Sequence, residues 1–269
     1  MEKAAVEGVA GIDAPAPPAA PAAVELPNGA KGQAILTEML AYRDEILGSW
    51  STLPLGTAAA IPRLAEGRRV FSRLLDIVLA SIALIVFLPV MLAVALLIKL
   101  GTPGPVLFRQ KRLGLNGELF TLVKFRTLYV DARQRFPELY AYKYNDDQMK
   151  SLVFKSADDP RITPQGRWLR STSLDELPNF WNVLKGDMAM VGPRPDIPEM
   201  LPYYRGEMLR RFSVRPGLTG LSHVTGRSNL TVMDSVALDL VYLDRRSLWF
   251  DLEILLRTVL AVALHRGAF

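Results

Sequence analysis

The longest uncharged apolar run in the chain extends from Ile77 to Ile98, 22 residues. At 1.5 Å per residue a helix of that length spans about 33 Å, enough for a hydrocarbon core. Pro89 stands inside it, where it removes a backbone hydrogen bond and favours a kink. Basic residues flank both ends: Arg68, Arg69 and Arg73 before, Lys99, Arg109, Lys111 and Arg112 after. A spanning helix puts one cluster on the far side, against the positive-inside tendency; a re-entrant helix keeps both on the cytoplasmic side. The pattern alone leaves spanning, re-entrant and core-buried helices open. Arg73 and Asp76 fall on one helical face. They are expected either to form an ion pair that fixes the depth of insertion or to be solvated separately.

The rest of the pattern alternates short elements. Ile35, Leu36, Met39, Leu40, Ile46 and Leu47 recur at near-helical spacing and predict a short amphipathic helix over 34–47. Val106–Phe108 and Leu119–Phe125 read as strands around a Gly114–Gly117 turn. Residues 131–158 are polar and aromatic and predict helix and loop. From Asp159 onward helices alternate with Pro/Gly turns. The last apolar stretch, Leu248–Leu264, is interrupted by Asp251, Glu253 and Arg257. It is too broken to span and is expected either to lie on a membrane surface or to pack on the core. No internal repeat is visible.

Composition narrows the chemistry. The 269 residues contain no Cys and only two His, His223 and His265. Disulfides, thiolate zinc sites and a cysteine nucleophile are thereby excluded, and a histidine-rich metal site is disfavoured. Residues 1–30 hold ten Ala and five Pro, too little apolar surface to offset ordering entropy, and predict a disordered tail. They lack the basic start and compact apolar run of a signal peptide. Residues 1–65 carry four basic and seven acidic side chains, whereas the remainder carries 28 and 20. The basic excess therefore lies beyond the linker and suits an anionic partner: lipid, phosphate or nucleic acid. No basic helix with interleaved aromatics argues for nucleic acid. The Walker phosphate loop, the dinucleotide glycine fingerprint and the His-Glu-x-x-His zinc pattern are absent. Asn229-Leu230-Thr231 is a formal glycosylation sequon, a short pattern that arises often by chance.

The densest polar cluster runs from Arg167 to Asn182. Ser173-x-x-Glu176 fits a capping box, and Asp175 fits an N-cap with Pro178 in the first turn. By spacing alone Asp175-Glu176 is a helix start. The same geometry offers free N–H groups and positive potential to a phosphate. A carboxylate there can attack phosphorus, and an adjacent Glu can hold Mg²⁺. Cations to neutralise phosphate oxygens are available in Arg112, Lys124, Arg126, Arg161, Arg170, Arg194, Arg215 and Arg227. Prolines on both sides stiffen the backbone that carries Arg194, and Pro216 follows Arg215.

Five runs carry a family resemblance. They are Lys124-Phe125-Arg126-Thr127, Asp159-Pro160-Arg161-Ile162-Thr163-Pro164 through Leu169-Arg170, Ser173-Leu174-Asp175-Glu176-Leu177-Pro178, Gly186-Asp187-Met188 through Val191-Gly192-Pro193-Arg194-Pro195, and Arg215-Pro216-Gly217-Leu218-Thr219-Gly220. In this order the chain from about residue 68 to 269 resembles the bacterial sugar transferases, monotopic phosphoglycosyl transferases that act on polyprenyl phosphate. The basic-x-x-Asp start of that family matches Arg73–Asp76, and its C-terminal aromatic and apolar helix matches Ser247–Leu260. The resemblance implies that Asp175 attacks the β-phosphate of a UDP-sugar, that UMP leaves, and that polyprenyl phosphate accepts the phospho-sugar from the aspartyl intermediate. It implies Glu176 as the Mg²⁺ ligand and Gly192, Pro193, Arg194 and Pro195 as a nucleotide-holding run. It further implies Arg112, Lys124, Arg126, Arg170, Arg215 and Asp239 as residues lining the site.

The expected fold is α+β, mostly helical and membrane-associated, with a re-entrant helix and amphipathic interfacial helices. The expected organisation is a disordered Ala/Pro-rich tail and linker over 1–67, a re-entrant membrane helix over 68–100, and a catalytic domain over 101–269. The expected place is the cytoplasmic face of the cell inner membrane, with membrane lipid, UDP-sugar and polyprenyl (undecaprenyl) phosphate as partners, no nucleic acid, and a homodimer compatible with the membrane-proximal helices. An inactive, membrane-anchored partner of a polysaccharide assembly complex is the competing reading, and a soluble nucleotide-binding enzyme the third. Two departures stand out. Leu88-Pro89 replaces the family's Ser-Pro, which removes a hydroxyl from the kink. Ser222-His223-Val224 replaces its Ala-Gln-Val, so His223 either tunes sugar or nucleotide preference or makes an ordinary hydrogen bond.

Overall fold

The computed structural model describes residues 29–49, 70–153, 159–226 and 230–263. The tail through residue 28, the linker 50–69, Arg227, the sequon asparagine Asn229 and His265 lie outside the described residues.

Helix α1 (Ala30–Ser49) extends the predicted helix at both ends. It buries Ile35, Met39 and Ile46 in the main core, and polar pairs flank that contact. Glu38 accepts from Arg245, the Tyr42 hydroxyl donates to Asp244, and Arg43 stands 3.5 Å from Asp234. Residues 30–49 are thus part of the folded body rather than of a tail running through residue 67.

Helix α2 (Val70–Gly101) continues through Pro89 and buries only Ala80, Val94 and Ile98. Those three lie on one narrow stripe. Ala80 meets Phe120, Leu122, Val183 and Met188, while Val94 and Ile98 meet Phe125, Leu169 and Leu177. The opposite surface leaves Ile82, Ile85, Val86, Leu88 and Leu92 exposed. This is not the helix of a soluble core. Arg73 and Asp76 make no ion pair with each other; both reach to the body instead. Arg73 donates to the Val183 and Leu184 carbonyls at 2.7 and 2.9 Å, and Asp76 accepts from the Met190 N–H at 2.9 Å. At the other end Arg126 donates to the Thr102 carbonyl and hydroxyl and to the Pro103 carbonyl. A cation at the end of a helix suits its exposed carbonyls.

Strands β1 (Leu107–Leu113) and β2 (Leu119–Phe125) pair antiparallel, Leu107 with Phe125 through Leu113 with Leu119. The first strand runs five residues beyond the predicted end at Phe108. Its half-exposed position in a ribbon tolerates the polar run Arg109–Arg112. Asn116 and Gly117 take positive φ in the turn. On β2, the buried Asn182 amide donates to the Thr121 carbonyl at 2.7 Å and accepts from the Val123 N–H at 3.1 Å.

Short helices come next: α3 (Ala132–Arg135), α4 (Asp146–Ser151) with an Asn145/Gln148 capping box, and α5 (Pro164–Ser171) capped by Thr163. Helix α5 lies so close to the chain after β2 that a Cβ on Gly166 would sit 2.1 Å from the Thr127 carbonyl oxygen. Helix α6 (Asn179–Lys185) ends at Gly186, whose φ of +96° closes it. Strands β3 (Ala189–Val191) and β4 (Gly217–Thr219) pair parallel. The apolar pattern predicts neither; each is three residues long. Helix α7 (Leu221–Thr225) leads to α8 (Val232–Arg245), which is capped by Thr231 and Asp234 and buries most of its length. Helix α9 (Leu248–Ala263) satisfies neither expectation alone. Phe250 and Ile254 pack inward, whereas Trp249 (80% exposed), Leu256, Val259 and Leu260 face outward.

Candidate active site

Four local structures converge on one open cleft. It is lined by Arg112 and Leu122 and Lys124 of the ribbon, by Glu176 and Asn179, by Met188, Arg194 and Pro195, and by Gly217, Leu218 and His223. Each polar residue is placed by a separate device.

Asp175 and Glu176 lie on a single 3-10 turn, Leu174–Glu176, ahead of α6. The capping arrangements expected here do not form. Ser173 adopts φ +58°, its side chain caps nothing, and Pro178 rather than Asp175 occupies the N-cap of α6. The left-handed Ser173 turns the chain so that Asp175 is buried at 7% exposure while Glu176 reaches the cleft. There Glu176 Oε1 stands 2.9 Å from Lys124 Nζ and 3.9 Å from Arg194 Nη2.

Arg194 is carried by the Gly192–Pro195 run. A Cβ at Gly192 would lie 2.5 Å from the Arg215 carbonyl oxygen, and one at Gly217 would lie 2.1 Å from the Gly192 nitrogen. Only glycine permits strands β3 and β4 to approach this closely. The Gly192 N–H bonds the Thr219 carbonyl and the Gly217 N–H bonds the Pro193 carbonyl, at 2.9 and 2.8 Å. Prolines on either side then fix the direction of Arg194. Its Nη1 is 2.8 Å from His223 Nε2.

Arg112 donates to the Pro195 carbonyl at 3.1 Å and to Gln110 at 2.8 Å. Burial, and then the neighbouring Arg194 charge, push its guanidinium down to about 10, still protonated at neutral pH. Among the described residues lining the cleft, three cations thus face one carboxylate. Such an excess of buried or half-buried positive charge is disfavoured unless an anion completes it.

The remaining residues picked out in the sequence lie around this cleft rather than on it. Arg170 donates to the Thr127 hydroxyl at 3.0 Å; burial lowers its pKa, against the opposing pull of Asp175 and Asp159. Arg126 holds the end of α2. Arg215 donates to the Gly186 carbonyl at 2.7 Å, at the end of α6. Asp239 is 1% exposed on α8 and is not part of the cleft lining. It meets Arg211 at 2.7 Å and Ser222 at 3.3 Å. Arg211 in turn binds Asp196, the Tyr204 hydroxyl and the Arg194 carbonyl. Burial, together with the nearby Asp196 charge, pushes the Asp239 carboxyl up to about 6 despite Arg211. Sequence reasoning misses this hub of Arg211, Asp196 and Tyr204, and also Asn179 in the cleft wall. None of them interrupts an apolar run that would single it out.

Among the described residues no three His, Cys, Asp or Glu side chains converge to make an all-protein metal cage. Glu176, with Asp175 next to it, fits the other mode, in which Mg²⁺ takes one or two carboxylates and completes its shell with phosphate oxygens and water.

Comparison with known proteins agrees with this architecture. The bacterial sugar transferase family profile matches residues 67–265. The galactosyl transferase CpsE of Streptococcus agalactiae is 45% identical over 61% of this chain and 36% of its own length. The UDP-glucose:undecaprenyl-phosphate glucose-1-phosphate transferase of Caulobacter vibrioides is 40% identical over 78% of this chain and 76% of its own. The exopolysaccharide production protein ExoY of Rhizobium meliloti is 35% identical over 81% of this chain and 94% of its own. The chain spans little more than a third of CpsE, so the likeness to that protein concerns one part of it. The match covers α2, the ribbon, the Asp175-Glu176 turn and the Arg194 run together, and the chain belongs to the bacterial sugar transferase family.

Proposed function

We propose that this chain transfers a sugar 1-phosphate from a UDP-sugar to polyprenyl (undecaprenyl) phosphate, releasing UMP, at the cytoplasmic face of the inner membrane. The observation that carries the reading is the grouping of Arg112, Lys124 and Arg194 around Glu176, beside Asp175, in a body that holds an exposed apolar helix. The relatives whose names specify undecaprenyl-phosphate glucose-1-phosphate transfer support the same donor and acceptor classes.

In the first step an Asp175 carboxylate oxygen attacks the sugar-bearing phosphorus. A new P–O bond forms, the bond to the bridging oxygen breaks, and UMP leaves with that electron pair. Arg112, Lys124 and Arg194 offset the charge of the diphosphate as it separates. Glu176 would hold Mg²⁺ together with the donor's phosphate oxygens, and the ion would supply further neutralisation of the leaving group. In the second step a polyprenyl phosphate oxygen attacks the same phosphorus, and Asp175 is released as a carboxylate. Splitting the transfer means that the soluble donor and the lipid acceptor never need to be bound together.

The reading includes a re-entrant α2. Its first turns bond to α6 and β3, and the residues that directly follow it, Thr102 and Pro103, bond to Arg126 at the end of the ribbon, in the same folded body. A helix with both ends tied to one polar domain is best served by a single side of the bilayer, with the exposed Ile82–Leu92 surface facing lipid.

The test is UMP release from a panel of UDP-sugars by the chain in nanodiscs, with polyprenyl phosphate and Mg²⁺. Asp175→Asn is expected to lower turnover at least about a thousandfold while leaving the thermal unfolding midpoint unchanged. Wild-type rates in that variant would remove Asp175 from the mechanism. No release by the folded native chain from any UDP-sugar would favour the inactive-partner reading.

A further inference from the structure

Arg194 sits in a closed ring of contacts. Its carbonyl accepts from Arg211 Nη2 at 3.1 Å, and Arg211 also meets Asp239 at 2.7 Å. Asp239 accepts from Ser222 on α7 at 3.3 Å. The next residue on α7, His223, returns to the Arg194 guanidinium at 2.8 Å. Arginine has donors only, so His223 Nε2 must be the acceptor. The backbone of Arg194 is already fixed by two prolines and by Arg211, and the freedom left to it lies in its side chain. Arg194 Nη2 stands 3.9 Å from Glu176, just at the edge of an ion pair. Freed from His223, the guanidinium has a direct route onto that carboxylate, which would cancel charge the cleft holds for an anion.

We propose that His223 is a positioning residue: its Nε2 lone pair holds Arg194 off Glu176 and keeps the guanidinium facing the cleft, where it meets the diphosphate of the donor. The proposal rests on reading the cleft as a nucleotide-sugar site. It assigns His223 a role in donor affinity that acts through Arg194 and not through direct chemistry. Gln can accept the same hydrogen bond, while Leu fills the space without an acceptor.

The experiment measures equilibrium binding of UDP, with Mg²⁺, to the full chain in nanodiscs. His223→Leu is expected to weaken UDP binding about tenfold, and His223→Gln to stay within about threefold of the native chain. Because His223 acts through Arg194, the double variant Arg194→Ala/His223→Leu is expected to bind no more weakly than Arg194→Ala alone. Thermal unfolding of each variant reports whether the fold is kept. Native-like binding by His223→Leu overturns the proposal. So does equal weakening by Leu and Gln, or full additivity with Arg194→Ala. Failure of the native chain to bind UDP would instead overturn the nucleotide reading of the cleft, and this inference with it.

Discussion

Helices α2 and α8 invert the usual relation between composition and burial. Helix α2 is the most apolar element of the chain, and of its 32 residues only Ala80, Val94 and Ile98 are buried. Helix α8 is shorter and carries Asp234, Asp239 and Asp244, yet ten of its 14 residues are buried, two of those aspartates among them. Were both helices packed in protein alone, hydropathy would rank α2 as the more buried of the two. What decides is the partner each face finds. Helix α8 finds protein on nearly every side: α1, α4, α7 and the 3-10 segment Gly206–Ser213. Its buried Asp239 is matched by Arg211 and Ser222. Helix α2 offers one narrow stripe to the body and leaves the rest exposed, a surface suited to a medium as apolar as itself.

Four substitutions or conditions probe this contrast by thermal unfolding in detergent micelles. The largest effect is expected from Arg211→Met. It removes the counter-charge shared by Asp196 and Asp239 and should cost about 3–5 kcal/mol. A loss below about 1 kcal/mol would mean that the buried hub does not hold α8 in place. Leu240→Ala, which empties a fully buried site on α8, should cost about 2–5 kcal/mol.

A pH effect ranks next in size. Asp239 loses its proton near pH 4 when unfolded and near 6 when folded. Between those values the folded chain holds a proton that the unfolded chain has released. The contribution is therefore fully present below pH 4 and lost as pH rises through 6, by up to about 3 kcal/mol. Asp239→Asn should remove that part of the slope; an unchanged slope would locate it elsewhere. The smallest effect is expected from Ile85→Ala on the exposed face of α2, below about 0.5 kcal/mol. Equal losses from Ile85→Ala and Leu240→Ala would dissolve the comparison.

Legibility from sequence tracks the range of the interactions involved. The ribbon β1–β2 is readable because its turn carries Asn116 and Gly117, which tolerate positive φ, between apolar runs. The α2 run and the C-terminal helix are readable from length and spacing. Strands β3 and β4 are not, because three residues hold no period and their pairing depends on the close approach at Gly192 and Gly217. Asp175 and Glu176 stand out in the sequence, but their local form does not. A capping box needs Ser173 in an extended conformation, and the packed turn holds it left-handed instead. Arg126, Arg215 and Asp239 illustrate a further limit. A motif names the residue type, whereas its partner lies about 20 to 30 residues away. Only the fold shows that Arg126 and Arg215 cap helix ends and that Asp239 supports Arg211.

Asn182 carries one more consequence. Its single amide addresses the carbonyl of Thr121 and the N–H of Val123, two of the outward groups that an added strand would claim. It therefore serves as a one-residue substitute strand and blunts a ribbon edge open to pairing with another chain. It also acts as a gauge of alignment. Side chains on a strand alternate sides, so a slip of one residue between α6 and β2 would turn Lys124 away from Glu176. The amide accepts only the register in which they meet.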